Sequence, residues 1–518
     1  MTTTAEPEVS DSRHARAVPR PSAALAGLLA ASAAVAAGEL VAALVDGAQS
    51  PVTSIGTAVI NLAPPALKDF AVETLGTADK PALIGGVLAV LALAAAGMGL
   101  LAVRRFWLGI AGVVLLGLVA LAAALVDDTA TRDAAPMPAL AAVAAGIGAL
   151  RLLIRALETD SGDTERRAFL RATGVIGASA LAGGGIARWL MTGAAAEASR
   201  AAVRLPTADR PLPPVPADGA LSTEGLSPLI TPNSDFYRID TALRTPAVNL
   251  DDWRLTITGM VDNPIELTYN QLRDFELVEA DVTLACVSNE VGGDLVGNAR
   301  WLGVRVADLL ADARVQSGAD QLVGRAVDGF TTGSPLETVL DGRNSLIAIG
   351  MNGEALPPEH GFPARIVVPG LYGYVSATKW LTELELTTFD AFDAYWIPRG
   401  WAQRAPIKTQ SRIDVPRARS TVASGTVAVA GVAWAPPHGI EMVEVQVDDG
   451  PWEQARLSDV VGPDSWRQWV YEWQATEGNH QLRVRATDGT GQTQTEERVP
   501  PRPDGATGWH TITVSVAG

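Results

Sequence analysis

Residues 282–290 read VTLACVSNE and contain Cys286, the only cysteine among the 518 residues of the chain. A single cysteine excludes an internal disulfide and any zinc or iron–sulfur site that needs several cysteine ligands. A lone cysteine in an apolar stretch is most often a small buried hydrophobe. As a thiolate, however, it is a nucleophile or a soft metal ligand. Both interpretations stay open on this stretch alone.

A second stretch, residues 360–380, reads HGFPARIVVPGLYGYVSATKW. An arginine on a predicted strand is followed by a glycine-bearing turn, small residues and a lysine. Free backbone N–H groups flanked by Arg and Lys form an anion pocket that suits a phosphate. An ordinary strand–turn–strand with surface charges has the same pattern. His360 is the only histidine between residues 226 and 405, so a Cys286–His360 thiol hydrolase is a further hypothesis.

The charge balance of the chain is acidic. It has 40 Lys+Arg against 57 Asp+Glu, a formal charge of −17. Nucleic-acid binding needs clustered positive charge that displaces counterions, so we expect no nucleic-acid partner.

The first 200 residues are rich in apolar stretches that suit a lipid bilayer. A membrane-spanning helix needs roughly 20 apolar residues. Residues 23–45, 81–103 and 106–126 meet this length, 134–150 is slightly short and 172–187 is marginal. The sequence therefore predicts about five transmembrane helices.

Residues 52–63 form a sixth apolar stretch, which is too short to cross and stops at two prolines. We expect it to be re-entrant or interfacial. Positive residues gather on the cytoplasmic side of membrane proteins. With five spans, the arginines before the first span, between the second and third, and after the fourth all lie inside. The sequence thus predicts a multi-pass protein of the cell membrane whose residues 205–518 are extracytoplasmic.

The remainder of the chain divides by pattern. Period-two alternation at 253–258 and 364–368, with helical spacing at 304–315, predicts an α+β domain. Short alternating strands separated by turn signals follow, and they predict an all-β, immunoglobulin-like sandwich. These predicted strands are 426–434, 441–447, 481–486 and 511–516.

We therefore predict a multi-domain protein with an N-terminal transmembrane α-helical bundle. Its parts are a cytoplasmic tail 1–22, a membrane domain 23–200, a proline-rich linker 201–225, an α+β domain 226–405 and an immunoglobulin-like domain 406–518.

Together, the stretches at 282–290 and 360–380 resemble the molybdopterin-binding domain of the sulfite oxidase family. The segments NSDFYR at 233–238 and ARWLGV at 299–304 add to the resemblance, which covers about residues 225–518. WRQW at 466–469 and GWH at 508–510 resemble the family's molybdenum-cofactor dimerisation domain. The resemblance implies a molybdenum–molybdopterin cofactor, an oxidoreductase activity and a homodimer.

The resemblance also implies roles for ten residues. Cys286 would be the thiolate ligand to molybdenum, and Arg238 would help to hold an anionic substrate near the metal. The pterin would be lined by Asn233, Phe236 and Tyr237. The cofactor and its phosphate would be bound by His360, Arg365, Ser376, Thr378 and Lys379.

Two positions depart from the sulfite oxidases. Phe330 replaces a tyrosine beside the metal, and Asn289 follows the cysteine where those enzymes carry arginine. Losing a donor and a positive charge weakens oxyanion binding by a few kcal/mol. The predicted substrate is therefore a small sulfur oxyanion or a sulfoxide, with electrons exchanged with a separate redox partner. The alternative is a non-catalytic, membrane-tethered binding protein that uses its immunoglobulin-like domain.

Overall fold

The computed structural model describes residues 18–45, 48–63, 79–126, 132–158, 162–191 and 194–518. Its contacts divide the chain into two compact units, Met1–Thr192 and Gly193–Gly518.

The first unit is helical. Its helices are α1 (Arg20–Leu44), α2 (Pro51–Leu62), α3 (Asp79–Arg104), α4 (Phe106–Val126), α5 (Pro136–Glu158) and α6 (Gly162–Met191). Within the described ranges, five of these are long and apolar enough to cross a membrane, which matches the predicted spans in number and place. Helix α2 has 12 residues. It extends about 18 Å and is too short to span the hydrocarbon core of a bilayer.

Helices α1 and α3 approach each other closely at two glycines. A Cβ atom added at Gly27 would overlap the backbone of Ala95, and one at Gly99 would overlap that of Ala23. Each glycine lies four positions from the facing alanine of its own helix, so the small residues share one helical face. Apolar helices pack backbone to backbone through this spacing.

The second unit begins with α7 (Ala194–Ala202) and the proline-rich segment 201–225. That segment is bound along the unit. Asp209 N donates to Leu277 O at 2.8 Å, and Leu212 N donates to Glu279 Oε2 at 2.9 Å. Leu221 N donates to Gln468 Oε1 at 2.7 Å. The proline-rich segment is therefore held along the unit by hydrogen bonds and is not a free spacer.

The α+β part contains two sheets with a shared apolar core. The elements are β1 (Arg254–Gly259), β2 (Ile265–Thr268), α8 (Tyr269–Arg273), β3 (Leu277–Ala285), β4 (Val296–Arg305), α9 (Val306–Ala313), β5 (Gln321–Ala326), β6 (Thr331–Pro335), α10 (Leu336–Val339), β7 (Leu346–Met351), β8 (Glu354–Ala355), β9 (Arg365–Val367), α11 (Gly373–Ser376) and β10 (Leu381–Thr387). The first sheet has the order β2-β1-β10-β5-β6, in which β1 and β10 are parallel. The second has the order β3-β4-β7-β8, with β9 paired to β7.

The predicted elements of this part are present. The alternation at 253–258 corresponds to β1, and the stretch at 364–368 contains β9. The helical spacing at 304–315 corresponds to α9, which ends at Ala313 and is followed by Arg314 in the left-handed conformation.

The C-terminal part is all β. Its strands are β11 (Gln410–Val415), β12 (Thr421–Ala423), β13 (Gly425–Trp434), β14 (Ile440–Val447), β15 (Trp452–Gln454), β16 (Arg456–Leu457), β17 (Arg467–Ala475), β18 (Gly478–Asp488) and β19 (His510–Ala517). They form a sheet of order β11-β13-β17-β16 and a sheet of order β12-β19-β18-β14-β15. Val429 and Trp469 of one sheet share a core with Val443 and Val484 of the other. All four predicted strands are found, within β13, β14, β18 and β19.

Candidate active site

A cleft in the second unit encloses about 890 Å³ of space, its open mouth included. Half of the ten residues proposed from the sequence line it, and they come from three separated segments of the chain. These residues are Phe236, Tyr237, Cys286, Arg365 and Lys379.

Cys286 is positioned by the turn that follows β3. Its backbone N–H donates to Leu295 O at 2.9 Å, continuing the β3–β4 pairing, and its carbonyl accepts from Asn289 N at 3.0 Å. The Asn289 side chain closes the loop by accepting from Leu295 N at 2.9 Å. The half-buried thiol thus ends a strand and lies at the wall of the cleft. Burial raises its pKa, and hydrogen bonds with Ser288 and the charge of Lys379 partly offset this.

His360 and Arg365 are positioned by a tight turn that leads into β9. Gly361 between them has φ +111°, and an added Cβ would lie 3.0 Å from the Cα of Lys379. Only glycine accommodates both this conformation and this close approach. The turn therefore brings the histidine, arginine and lysine of the 360–380 stretch together.

Arg365 is a buried cation. It is 4% exposed, it donates from Nη1 to His360 O at 3.0 Å, and its guanidinium lies 4.9 Å from the centre of the Trp301 ring. Burial lowers its pKa to about 10, so it remains charged at neutral pH. Its Nε atom is buried and has no hydrogen-bond partner among the described residues.

His360 does not line the cleft. Its ring packs edge-on against Phe236, which does. Its Nε2 pairs with Asn233 O at 2.8 Å. Burial lowers its pKa to about 4, so the ring is neutral at pH 7. Its Nδ1 is buried without a partner within the described ranges.

Lys379 contributes the second buried cation. Its Nζ lies 3.4 Å from Asp240 Oδ2 and 5.6 Å from the centre of the Trp380 ring. Burial lowers its pKa to about 8, and Asp240 opposes that shift. Asp328 lines the same cleft, and burial followed by the charge of Asp240 raises its pKa.

The other residues proposed from the sequence have protein partners. Arg238 is exposed, with an ion pair to Asp240 at 2.8 Å and a hydrogen bond to Thr245 at 2.9 Å. The Ser376 hydroxyl donates to the carbonyls of the 371–372 turn, and Thr378 Oγ1 bonds with Thr332 at 2.7 Å. Their backbone carbonyls accept hydrogen bonds from Val368 N and Ile366 N, which holds residues 376–378 against β9 and the residue after it.

Sequence reasoning missed part of the aromatic wall. Seven of the lining side chains are aromatic, in a chain with only 5% aromatic residues. Tyr374 and Trp380 belong to the 360–380 stretch, and Phe330 was noted as a departure. Trp396 and Trp401 belong to no strand or helix periodicity. The excess of aromatic residues at 395–401 is the sequence signal that could have indicated them. The acidic Asp240 and Asp328 had no local signal.

The cleft fits an anionic cofactor that brings its own ligands to a metal. It places a thiol at one wall, and Arg365 with Lys379 supplies buried positive charge. His360 and Arg365 keep buried polar atoms without protein partners, an arrangement that costs stability unless a ligand satisfies them. Within the described ranges, no group of three or more His, Cys, Asp or Glu side chains could hold a metal alone. A metal at Cys286 would therefore depend on ligands from the cofactor.

Comparison with known proteins agrees with this chemistry. A family model described as "Oxidoreductase molybdopterin binding domain" matches residues 242–396. The uncharacterized oxidoreductase YuiH of Bacillus subtilis is 35% identical over 156 residues, which cover 30% of this chain and 75% of that protein. Mitochondrial sulfite oxidase of Homo sapiens is 29% identical over 302 residues, 49% of this chain.

The crystal structure of the sulfane dehydrogenase SoxCD from Paracoccus pantotrophus is similar, with a TM-score of 0.50 at 25% identity. That likeness covers 57% of this chain and 82% of the SoxCD chain. The chain spans between 55% and 63% of the length of the mammalian sulfite oxidases it matches.

The chain is a molybdopterin-dependent oxidoreductase. It belongs to the sulfite oxidase family, and its cofactor is molybdopterin. This result favours the oxidoreductase over the binding-protein and thiol-hydrolase alternatives.

Proposed function

We propose that the chain is a membrane-anchored enzyme that transfers an oxygen atom at molybdenum to or from a small sulfur compound. The observation that carries this proposal is the placement of Cys286, Arg365 and Lys379 on one cleft. The five apolar helices of the first unit support the anchor. The arginine distribution supports an extracytoplasmic position for the catalytic and C-terminal domains.

In this proposal Cys286 ligates the metal as a thiolate. Since burial raises its pKa, metal binding displaces a proton from the thiol. The bound cofactor supplies a metal that exchanges an oxygen atom and two electrons. Phe236 and Tyr237, which stack with ring centres 5.2 Å apart, line the pterin. Asn233 acts through its carbonyl, which orients His360.

The cofactor's phosphate is assigned to the basic side of the cleft. Arg365 supplies charge-assisted hydrogen bonds from a side chain that is already ordered over Trp301. Ser376 and Thr378 support this side through the pairing of residues 376–378 with β9 and not through their hydroxyl groups.

A specific observation favours a neutral sulfoxide over sulfite as substrate. Arg238 is exposed and paired with Asp240, and Phe330 offers no hydroxyl group. The carboxylates of the cleft, Asp240 and Asp328, balance its cations Arg365 and Lys379, and its wall is aromatic, which suits a neutral, partly apolar molecule. Reduction of a sulfoxide by two electrons and two protons yields a sulfide and water. In this proposal Lys379 Nζ, which is protonated below about pH 8, supplies a proton.

The remaining expectations accompany this proposal. The C-terminal part is proposed to be immunoglobulin-like and to pair two chains about a two-fold axis. A separate redox partner is proposed to exchange electrons with the cofactor. We also propose that the chain has the five parts predicted from the sequence, with the boundaries given there.

The test uses the full chain, made in a host that synthesises the cofactor and purified in detergent. Molybdenum and pterin are measured first. Turnover is then compared for a dialkyl sulfoxide with a reduced viologen donor and for sulfite with a ferricyanide acceptor. We expect one metal per chain and faster sulfoxide reduction. Absence of molybdenum would refute the proposal, whereas faster sulfite oxidation would refute only the substrate assignment. The Cys286→Ser chain is the matched control.

A further inference from the structure

A second polar groove in the same unit shares no lining residue with the catalytic cleft. It is formed by the end of α7 with the residues after it, by the loop before β1, and by the start of α8. Leu250 N donates to Ser199 Oγ at 3.3 Å, and Arg273 Nη2 donates to Arg204 O at 3.0 Å. These hydrogen bonds join the three segments and fix the shape of the groove.

Three arginines line this groove, which we call the arginine groove: Arg204, Arg254 and Arg273. Among the described residues, none of the three has a carboxylate ion pair. The acidic side chain of the lining is Asp251, whose backbone carbonyl accepts from Arg254 Nη1 at 2.9 Å. Three guanidinium groups against one carboxylate leave a net positive groove in a chain of net charge −17.

Tyr269 provides evidence for a ligand that is independent of the charge of the groove. The side chain is 3% exposed and lines the groove, yet its hydroxyl group has no hydrogen-bond partner among the described residues. The Nε atom of Arg273 is buried and unpartnered in the same way. Buried donors that lack a protein acceptor cost stability, so they indicate a missing acceptor.

Local structure fixes Tyr269 in this position. Thr268 and Gln271 form a capping box at the start of α8, and the Tyr269 ring packs edge-on against Trp253 at 6.1 Å. Arg273 lies 5.9 Å from the centre of the same ring. The hydroxyl and the guanidinium are thus ordered before any ligand arrives, which reduces the entropic cost of binding.

We propose that the arginine groove binds a phosphate group, either as inorganic phosphate or as the headgroup of an anionic phospholipid. Planar guanidinium groups bind phosphate oxygens through paired hydrogen bonds, and a phenol adds a further donor. The lipid source rests on the proposed membrane anchor. Ser199 of the groove lies only eight positions after Met191, where the last apolar helix ends. The free-phosphate source does not depend on that anchor.

The experiment uses the full chain in nanodiscs made of phosphatidylcholine alone. Inorganic phosphate is titrated calorimetrically against chloride at equal ionic strength. In parallel, thermal unfolding is compared with discs that contain phosphatidylglycerol. Tyr269→Phe, which keeps the ring, and Arg273→Gln are compared with Arg210→Gln, an exposed arginine paired with Glu276.

We expect about ten- to hundredfold weaker phosphate binding in the two groove variants, the effect of losing a hydrogen bond to a charged group. Arg210→Gln should bind as the parent does. If only phosphatidylglycerol stabilises the parent, and the groove variants lose that effect, the source is the lipid. No response to either ligand, or an equal loss in Arg210→Gln, would overturn the proposal. Molybdenum content should be unchanged throughout, which separates this result from failure of the catalytic proposal.

Discussion

Arg412 Nη1 donates a hydrogen bond to the carbonyl oxygen of Gly293 at 2.8 Å. This contact joins the first strand of the C-terminal part to the loop that begins at Cys286. Nearby, Trp466 N donates to Thr283 Oγ1 at 2.7 Å, on the strand that leads to the same cysteine. The C-terminal part therefore supports the wall of the cleft directly.

Replacing Arg412 by alanine should destabilise the unit and loosen the Cys286 loop. The change removes the bond to Gly293 and leaves Asp414, whose side chain is 8% exposed, without its ion-pair partner at 2.7 Å. We expect the free energy of unfolding to fall by about 2 kcal/mol, with lower molybdenum content. Denaturant unfolding and metal analysis provide the measurement. Arg417→Ala, at an exposed site of the same part, should change neither quantity.

The single thiol makes cofactor loading directly measurable. If Cys286 ligates the metal, the thiol should react with an alkylating reagent in the cofactor-free chain and be protected in the loaded chain. Cys286→Ser should lose turnover and metal while keeping the thermal unfolding midpoint of the cofactor-free parent. Equal alkylation rates in the loaded and empty chains would contradict the assignment.

Replacing Arg365 by glutamine should lower pterin occupancy. The change removes a buried charge-assisted hydrogen bond, worth about 1.5–3 kcal/mol, which corresponds to about ten- to hundredfold in affinity. Pterin content is measured by fluorescence after release and oxidation. Arg305→Gln, where the native side chain pairs with Asp308 on the surface, is the control and should retain full occupancy.

Activity should fall as the pH rises through about 8, because Lys379 then loses its proton. Its folded-state pKa is below the usual value of 10.5, so the unfolded chain binds more protons between these values. Stability should therefore rise with pH over the interval in which activity falls. Lys379→Arg keeps the positive charge but does not release its proton at these pH values, so kcat/KM should be low and no longer fall at alkaline pH if the chain loads its cofactor. Lys408→Arg should leave the pH profile unaltered.

The cofactor-free chain should lose stability as the pH falls from about 6.5 through about 4. In this range the unfolded His360 binds a proton that the folded ring does not, so the free energy of unfolding declines. His360→Gln should show a shallower loss between pH 7 and pH 5 in urea unfolding. The exposed His438→Gln serves as the comparison and should follow the parent curve.

Local patterns predicted those parts of the structure that are fixed by local chemistry. The strand periodicity at 253–258 and the helical spacing at 304–315 were sufficient for β1 and α9. The 360–380 stretch placed Arg365 and Lys379 together, because Gly361 permits the turn that joins them. The apolar helices were predicted from length and composition alone.

The remaining features depend on contacts between distant segments. Asp240 reaches Lys379 across 139 positions, and no pattern around either residue indicates the other. Thr378 was assigned from a motif, but its hydroxyl group bonds with Thr332 of β6, 46 positions away. The Ser376 hydroxyl group was assigned in the same way, and it donates within its own turn to Tyr372 O. Trp396 and Trp401 come from an irregular segment with no periodicity to interpret.

The unpartnered atoms His360 Nδ1 and Arg365 Nε have a consequence for the lifetime of this protein in the cell. A polypeptide that finishes folding with these polar atoms unsatisfied remains easier to open, and proteases digest opened chains first. We therefore expect the supply of the pterin to affect how many molecules survive, so that the amount of enzyme follows cofactor synthesis.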